Sequence, residues 1–107
     1  MIQNKNISLE HFAYQLEGNI VSDMGSEKVM LSIENGKYYN LGQIGGDIWE
    51  LMNEHDSIKK IIDSLMKEYK VDYADCQEQV LSFLKSLQKE GLIKIVENAL
   101  SMDNRKE

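Results

Sequence analysis

Cysteine is nearly absent from this chain, and histidine is almost as rare. The single thiol, Cys76, cannot close an internal disulfide, and with only His11 and His55 beside it no CxxC or clustered His/Cys pattern exists to hold a metal. Neither a metal nor a cofactor is expected. Long apolar runs are missing too: none extends beyond a few residues, and residues 1–10 are polar, without the apolar stretch of a secretory signal. Cytoplasmic residence, away from any membrane, is the expectation. The third absence is of positive charge. Twelve Lys and Arg face eighteen Asp and Glu, and the net charge of -6 repels a phosphate backbone. Lys59, Lys60, Lys67, Lys70, Lys85 and Lys89 are interleaved with carboxylates, so no helix offers a strongly basic face. Nucleic acid is not an expected partner.

What remains is enough for one modest core, since 107 residues with 42% hydrophobic content suit a single domain. Residues 1–18 read as an N-terminal arm with some strand character, 19–96 as the domain, and 97–107 as a polar, flexible tail. From Asn19 the pattern is that of hairpins. Asn19 to Met24 and Glu27 to Glu34 flank Gly25-Ser26, a two-residue turn in which glycine accepts positive φ. Val29, Leu31 and Ile33 alternate with Lys28, Met30 and Ser32 and are expected to form the buried face. A three-residue loop, Glu34-Asn35-Gly36, would then set Leu31 opposite Tyr39 and Val29 opposite Leu41, leaving Tyr38 and Asn40 outward.

The apolar period next changes from two to 3.6. Ile44, Ile48, Trp49, Leu51 and Met52 mark a helix from Gln43 to Glu54, weakened at its start by Gly45 and Gly46. His55-Asp56-Ser57 breaks it and offers cap oxygens to a second helix carrying Ile58, Ile61, Ile62, Leu65, Met66 and Tyr69 on one face. Asp72 can cap a third helix, whose stripe is Cys76, Val80, Phe83, Leu84 and Leu87, and Gly91 ends it as a C′ residue. Leu92 and Ile93 fold back as a closing contact. Three short antiparallel strands followed by three helices make an α+β arrangement, with the third strand, Lys37 to Leu41, at a sheet edge open to a peptide strand or to a second copy of the chain in a homodimer.

Several pieces of this pattern together resemble the PqqD-like family, also called the RiPP recognition element. They are Val29-Met30-Leu31, Gly36-Lys37-Tyr38-Tyr39-Asn40-Leu41, Gly45-Gly46-Asp47-Ile48-Trp49-Glu50-Leu51, Ile61 to Tyr69 with Val71, Val80 to Leu87, and Gly91-Leu92-Ile93. Gly42 stands where the family has asparagine, and Ser57 matches its usual threonine. The resemblance implies a winged helix-turn-helix-like domain that binds the leader of a ribosomally made precursor peptide. The leader would add a strand beside the third strand, against the third helix, and be presented to processing enzymes. In lasso peptide pathways these are a leader peptidase and a cyclase; in others, including coenzyme PQQ synthesis, a radical enzyme. Carried onto this chain, the edge contacts come from the backbone of Lys37, Tyr38, Tyr39, Asn40 and Leu41, and side-chain pockets from Cys76, Gln79, Val80, Phe83 and Leu84.

No catalytic centre competes with this reading. Cys76 lies on an apolar helix face, where a free cysteine behaves as a small hydrophobe, and no recognisable nucleophile motif surrounds it. Asp72 and Asp75 suit helix capping and the N-terminal dipole better than acid-base chemistry. Gly45-Gly46 lacks the lysine and spacing of a phosphate loop. Trp49 and Tyr39 read as core, while Tyr38 either covers the sheet or anchors a ligand. Two rival classes are a winged-helix DNA-binding regulator, which the charge disfavours, and an enzyme subunit using Cys76, which loss of activity on Cys76→Ser with leader binding intact would favour.

Overall fold

A computed structural model of the chain describes residues 7–25, 27–54 and 57–97. Strands β2 (Asn19–Met24), β3 (Glu27–Ser32) and β4 (Lys37–Leu41) form an antiparallel meander in that spatial order. Three helices follow: α1 (Gly42–Glu54), α2 (Ile58–Glu68) and α3 (Tyr73–Lys89). The α+β arrangement expected from the residue pattern is the one observed, and it is winged-helix-like, as the family resemblance implies. Met24 pairs with Glu27, which leaves two residues for the first turn, and Gly25 has φ 75°.

The second hairpin corrects the expected register. Leu31 pairs with Tyr38 and Met30 with Tyr39, so the loop is Ile33–Gly36, one residue longer than the three-residue loop inferred from apolar alternation. The Gly36 N–H bonds the Ser32 carbonyl at 2.8 Å with Gly36 at φ 65°, and the Asn35 N–H bonds Ser32 Oγ at 3.1 Å. A shift of one residue exchanges the faces of a strand. Met30 (0% exposed) and Ser32 (1%) therefore point into the core, while Val29 and Leu31 are half-buried on the opposite face and Ile33, in the turn, is 63% exposed. On β4 the expected facing holds, with Tyr38 and Asn40 exposed and Leu41 buried.

Two strands outside the meander complete the molecule. β1 (Phe12–Gln15) pairs antiparallel with β5 (Ile93–Val96), giving the arm and the segment after Gly91 a strand pairing where the pattern indicated only some strand character and a closing contact. Ala13 and Tyr14 of the arm are buried. The arm also terminates α2. The N–H groups of Ile58 and Lys59 donate to the carbonyls of His11 and Leu9, each at 3.1 Å, whereas Ser57 and Asp72 occupy N-cap positions without a side-chain cap bond. His55, Asp56 and the tail beyond Glu97 lie outside the described residues.

The helices close over the inner face of β3 through Ile48, Trp49, Ile61, Ile62, Leu65 and Leu84. Trp49 is core, as its place in the apolar stripe indicated. α3 ends in a Schellman motif: Leu92 N–H bonds the Leu87 carbonyl and Gly91 N–H the Gln88 carbonyl, both at 3.0 Å, with Gly91 at φ 78°. That geometry turns the chain from α3 into β5.

Candidate functional site

β4 is an edge strand. One side pairs with β3, and among the described residues no strand pairs with the other. α3 runs antiparallel alongside that open edge, a placement fixed at both ends. At the Leu41 end, α1 begins with Gly42 at φ 76°, a left-handed position suited to glycine or asparagine, and its N–H bonds Asn40 Oδ1 at 2.9 Å. Gly45, one turn on, is where Phe83 of α3 packs: a Cβ built there would lie 2.8 Å from the Phe83 ring. The glycine pair that weakens α1 in terms of propensity is thus a site of close approach. Gly46 does the same for the aliphatic stem of Lys28, whose ammonium pairs with Asp23 and, at 2.8 Å, with Glu50. Hydrogen bonds to those two carboxylates hold Lys28 protonated well above the ordinary lysine range.

At the Lys37 end the link is polar. Tyr39 Oη donates to Glu90 Oε1 at 2.8 Å, Asn35 Nδ2 donates to the Glu90 carbonyl and to Tyr39 Oη, each at 3.0 Å, and Lys37 Nζ stands 4.0 Å from Glu90 Oε1. On α3, Glu78, Gln79, Ser82, Phe83 and Ser86 line an open depression, with Ser82 and Ser86 on the turns next to Phe83. Gln79 also borders a small, almost wholly apolar hollow formed with Ile44, Leu65, Val71, Cys76 and Val80.

The residues expected from the sequence are distributed unevenly over this groove. Lys37, Tyr38, Asn40 and Gln79 are exposed, and Tyr39 and Phe83 are half-buried. Cys76 is 6% exposed at the floor of the apolar hollow, where burial pushes its thiol pKa up and leaves it a neutral hydrophobe at pH 7. Val80 and Leu84 are buried, so they form the backing of the wall rather than its surface. Ile44 and Val71 line the apolar hollow, and Asn35 and Glu90 meet Tyr39; none of the four is among the site residues expected from the sequence. Glu90 was legible in one respect, because the C′ assignment of Gly91 makes it the C-cap residue.

Among the described residues no group of three or more His, Cys, Asp or Glu side chains is placed to hold a metal, and no helix is long and apolar enough to cross a membrane. The outer face of the meander carries an apolar row: Ile20 pairs with Leu31, and Leu31 with Tyr38. Ile20 is 53% and Tyr38 75% exposed, with exposed Ile33 nearby.

Two solved structures share this architecture. TbiB1 in complex with the TbiA(beta) leader peptide is 26% identical, over 76% of this chain and 94% of that one, with a TM-score of 0.70. Lasso peptide synthetase B1 complexed with the leader peptide is 20% identical over 77% and 96% of the two chains, with a TM-score of 0.68, a likeness of fold. No curated protein sequence matches. The family profile described as coenzyme PQQ synthesis protein D (PqqD) matches residues 27–93, well over half of the chain. The chain therefore belongs to the coenzyme PQQ synthesis protein D (PqqD) family.

Proposed function

We propose that this protein is a non-catalytic adaptor that captures the leader of a ribosomally synthesised precursor peptide and presents it to processing enzymes. The observation that carries the reading is the open β4 edge lying beside α3, in a fold 26% identical to one solved with a leader peptide. A peptide strand added to β4 satisfies its own backbone and that of the edge, so main-chain hydrogen bonds supply affinity. Alternate side chains then face α3, where Phe83 and the hollow over Cys76 take apolar groups and Gln79 takes a polar one. The buried Val80 and Leu84 hold that wall in place.

A lasso peptide pathway, with a leader peptidase and a cyclase as the recipients, is the reading we favour; what supports leader capture is the likeness to TbiB1 solved with the TbiA(beta) leader peptide. The apolar row Ile20–Leu31–Tyr38 supports delivery to an enzyme. Tyr38 belongs both to that row and to the peptide-accepting edge, so a partner seated there is next to the bound leader.

The test is a fluorescence-anisotropy titration of the labelled leader from the precursor encoded beside this chain. Saturable binding is expected at micromolar concentration or below, weakened at least tenfold in Asn40→Pro, with folding of the variant checked by circular dichroism. Hydrogen exchange on the wild-type protein gives a second readout, in which the leader should slow exchange along β4. Absence of binding at tens of micromolar overturns the adaptor reading.

A further inference from the structure

The walls of the groove come from elements far apart in sequence, a hairpin edge and a helix. Their separation therefore depends on whatever ties them together. Towards the Leu41 end the tie is packing, Phe83 against Gly45. Towards the other end it is polar: among the described residues, the hydrogen bonds and ion pairs between the β3–β4 hairpin and α3 all converge on Glu90. Phe83 and Glu90 are about two helical turns apart, so the ties bracket roughly 10 Å of groove, about three residues of an added strand.

We propose that Tyr39, Asn35 and Glu90 form a strut that fixes the separation of β4 and α3, and so holds the groove at the width an added peptide strand requires. This rests on the peptide-binding reading above and assigns the three side chains a positioning role in it. Each element of the strut is itself braced. Asn35 is oriented by a four-residue loop in which its own N–H is held by Ser32 Oγ at 3.1 Å. Its amide then donates to the Glu90 carbonyl at 3.0 Å, a group at the helix end with no intrahelical partner. Glu90 is fixed by the Schellman turn at Gly91, and its carboxylate accepts from the phenol of Tyr39. Tyr39 is half-buried, with its ring packed against the core and only its tip reaching the strut. The side chains point to one another rather than into the space beside the edge, which is why we assign positioning and not peptide contact.

A positioning role has a kinetic signature that direct contact lacks. If loss of the strut lets the walls drift, only a fraction of molecules presents a groove of the right width, and apparent affinity falls by that fraction. Association then slows while dissociation of the peptide, once seated, stays near the wild-type rate. The experiment is stopped-flow and equilibrium anisotropy with the same labelled leader, on wild type, Tyr39→Phe, Glu90→Ala, Glu90→Gln and the Tyr39→Phe/Glu90→Ala pair. Tyr39→Phe and Glu90→Ala should each weaken binding about five- to twentyfold, mainly through association. Glu90→Gln, which keeps an acceptor for the phenol, should stay within about threefold of wild type. The double variant should be no worse than the poorer single one, since both remove the same link. The strut bonds are solvent-exposed, so melting temperatures should change little; were Tyr39→Phe to fold poorly, Glu90→Ala and Asn35→Ala carry the test. Binding within twofold of wild type in Tyr39→Phe, or a loss confined to faster dissociation, overturns the strut. Failure of wild type to bind the leader would instead remove the peptide-binding reading, and the strut's role with it.

Discussion

Gly45 shows how a single residue's environment can invert its meaning. By helix propensity, alanine at this position would stabilise α1 by about 1 kcal/mol. In the fold its Cβ would meet two Phe83 ring atoms at 2.8 and 2.9 Å, and overpacking of this kind costs about 1–3 kcal/mol. Gly45→Ala is therefore expected to lower stability by about 1 kcal/mol, read as a shift of the urea midpoint at unchanged slope. The penalty should vanish in a Phe83→Leu background, where the ring no longer fills the site. Tyr69 supplies a pH-dependent counterpart. Its phenol donates to Asp47 Oδ2, and that bond, with burial, pushes its pKa from 10.0 up to about 12. A pKa raised on folding means that the neutral phenol is the form the fold favours. Its contribution is full below pH 10 and is lost as pH rises towards 12. Tyr69→Phe should cost about 1 kcal/mol at pH 7. The difference from wild type should narrow through pH 10–12 in parallel urea titrations.

For whole elements, β3 carries the clearest lesson. Val29, Leu31 and Ile33 present an alternation that pattern reading assigns to the core, yet the core takes Met30 and Ser32. The reason is the loop. Ser32 Oγ holds the Asn35 N–H, and the loop closes through the Gly36 N–H to the Ser32 carbonyl; this four-residue geometry slips the register by one residue from that of a three-residue turn. Substitution distinguishes the two faces directly. Met30→Ala should cost about 2–4 kcal/mol by chemical denaturation, whereas Leu31→Ala should cost less than about 1 kcal/mol. The opposite ranking would restore the register expected from the sequence. Element boundaries were read more faithfully where they rest on local chemistry. Gly91 ends α3, and the stripes of α2 and α3 bury the residues expected of them, apart from the half-buried Phe83, Met66 and Tyr69. The caps were less legible, because the partners of Ile58 and Lys59 are backbone carbonyls of residues 9 and 11, and a carbonyl has no side-chain signature.

At the level of the whole molecule, charge and topology act together. A net charge of -6 with lysines dispersed among carboxylates removes the counterion-release term on which nonspecific DNA binding depends. No retarded band is expected with duplex DNA at 50 mM salt and micromolar protein; a salt-dependent shift would favour the winged-helix regulator. By itself the sequence determined the fold class, the three helices, though Ile44 of the expected α1 stripe is exposed and Leu51 half-buried, the edge position of Lys37–Leu41 and, through residues spread over two thirds of the chain, the family. These follow from periodicity and turn chemistry, which act over a few residues at a time. Tertiary structure alone decided which face of β3 is buried, how the arm seals α2 and pairs with β5, and how Asn35, Tyr39 and Glu90 meet. The face of β3 turns on one side-chain bond inside the Ser32–Gly36 loop, which apolar alternation does not register; the arm and Glu90 contacts join positions dozens of residues apart, and no local pattern records which distant partner will complete a hydrogen bond or fill the space above a glycine.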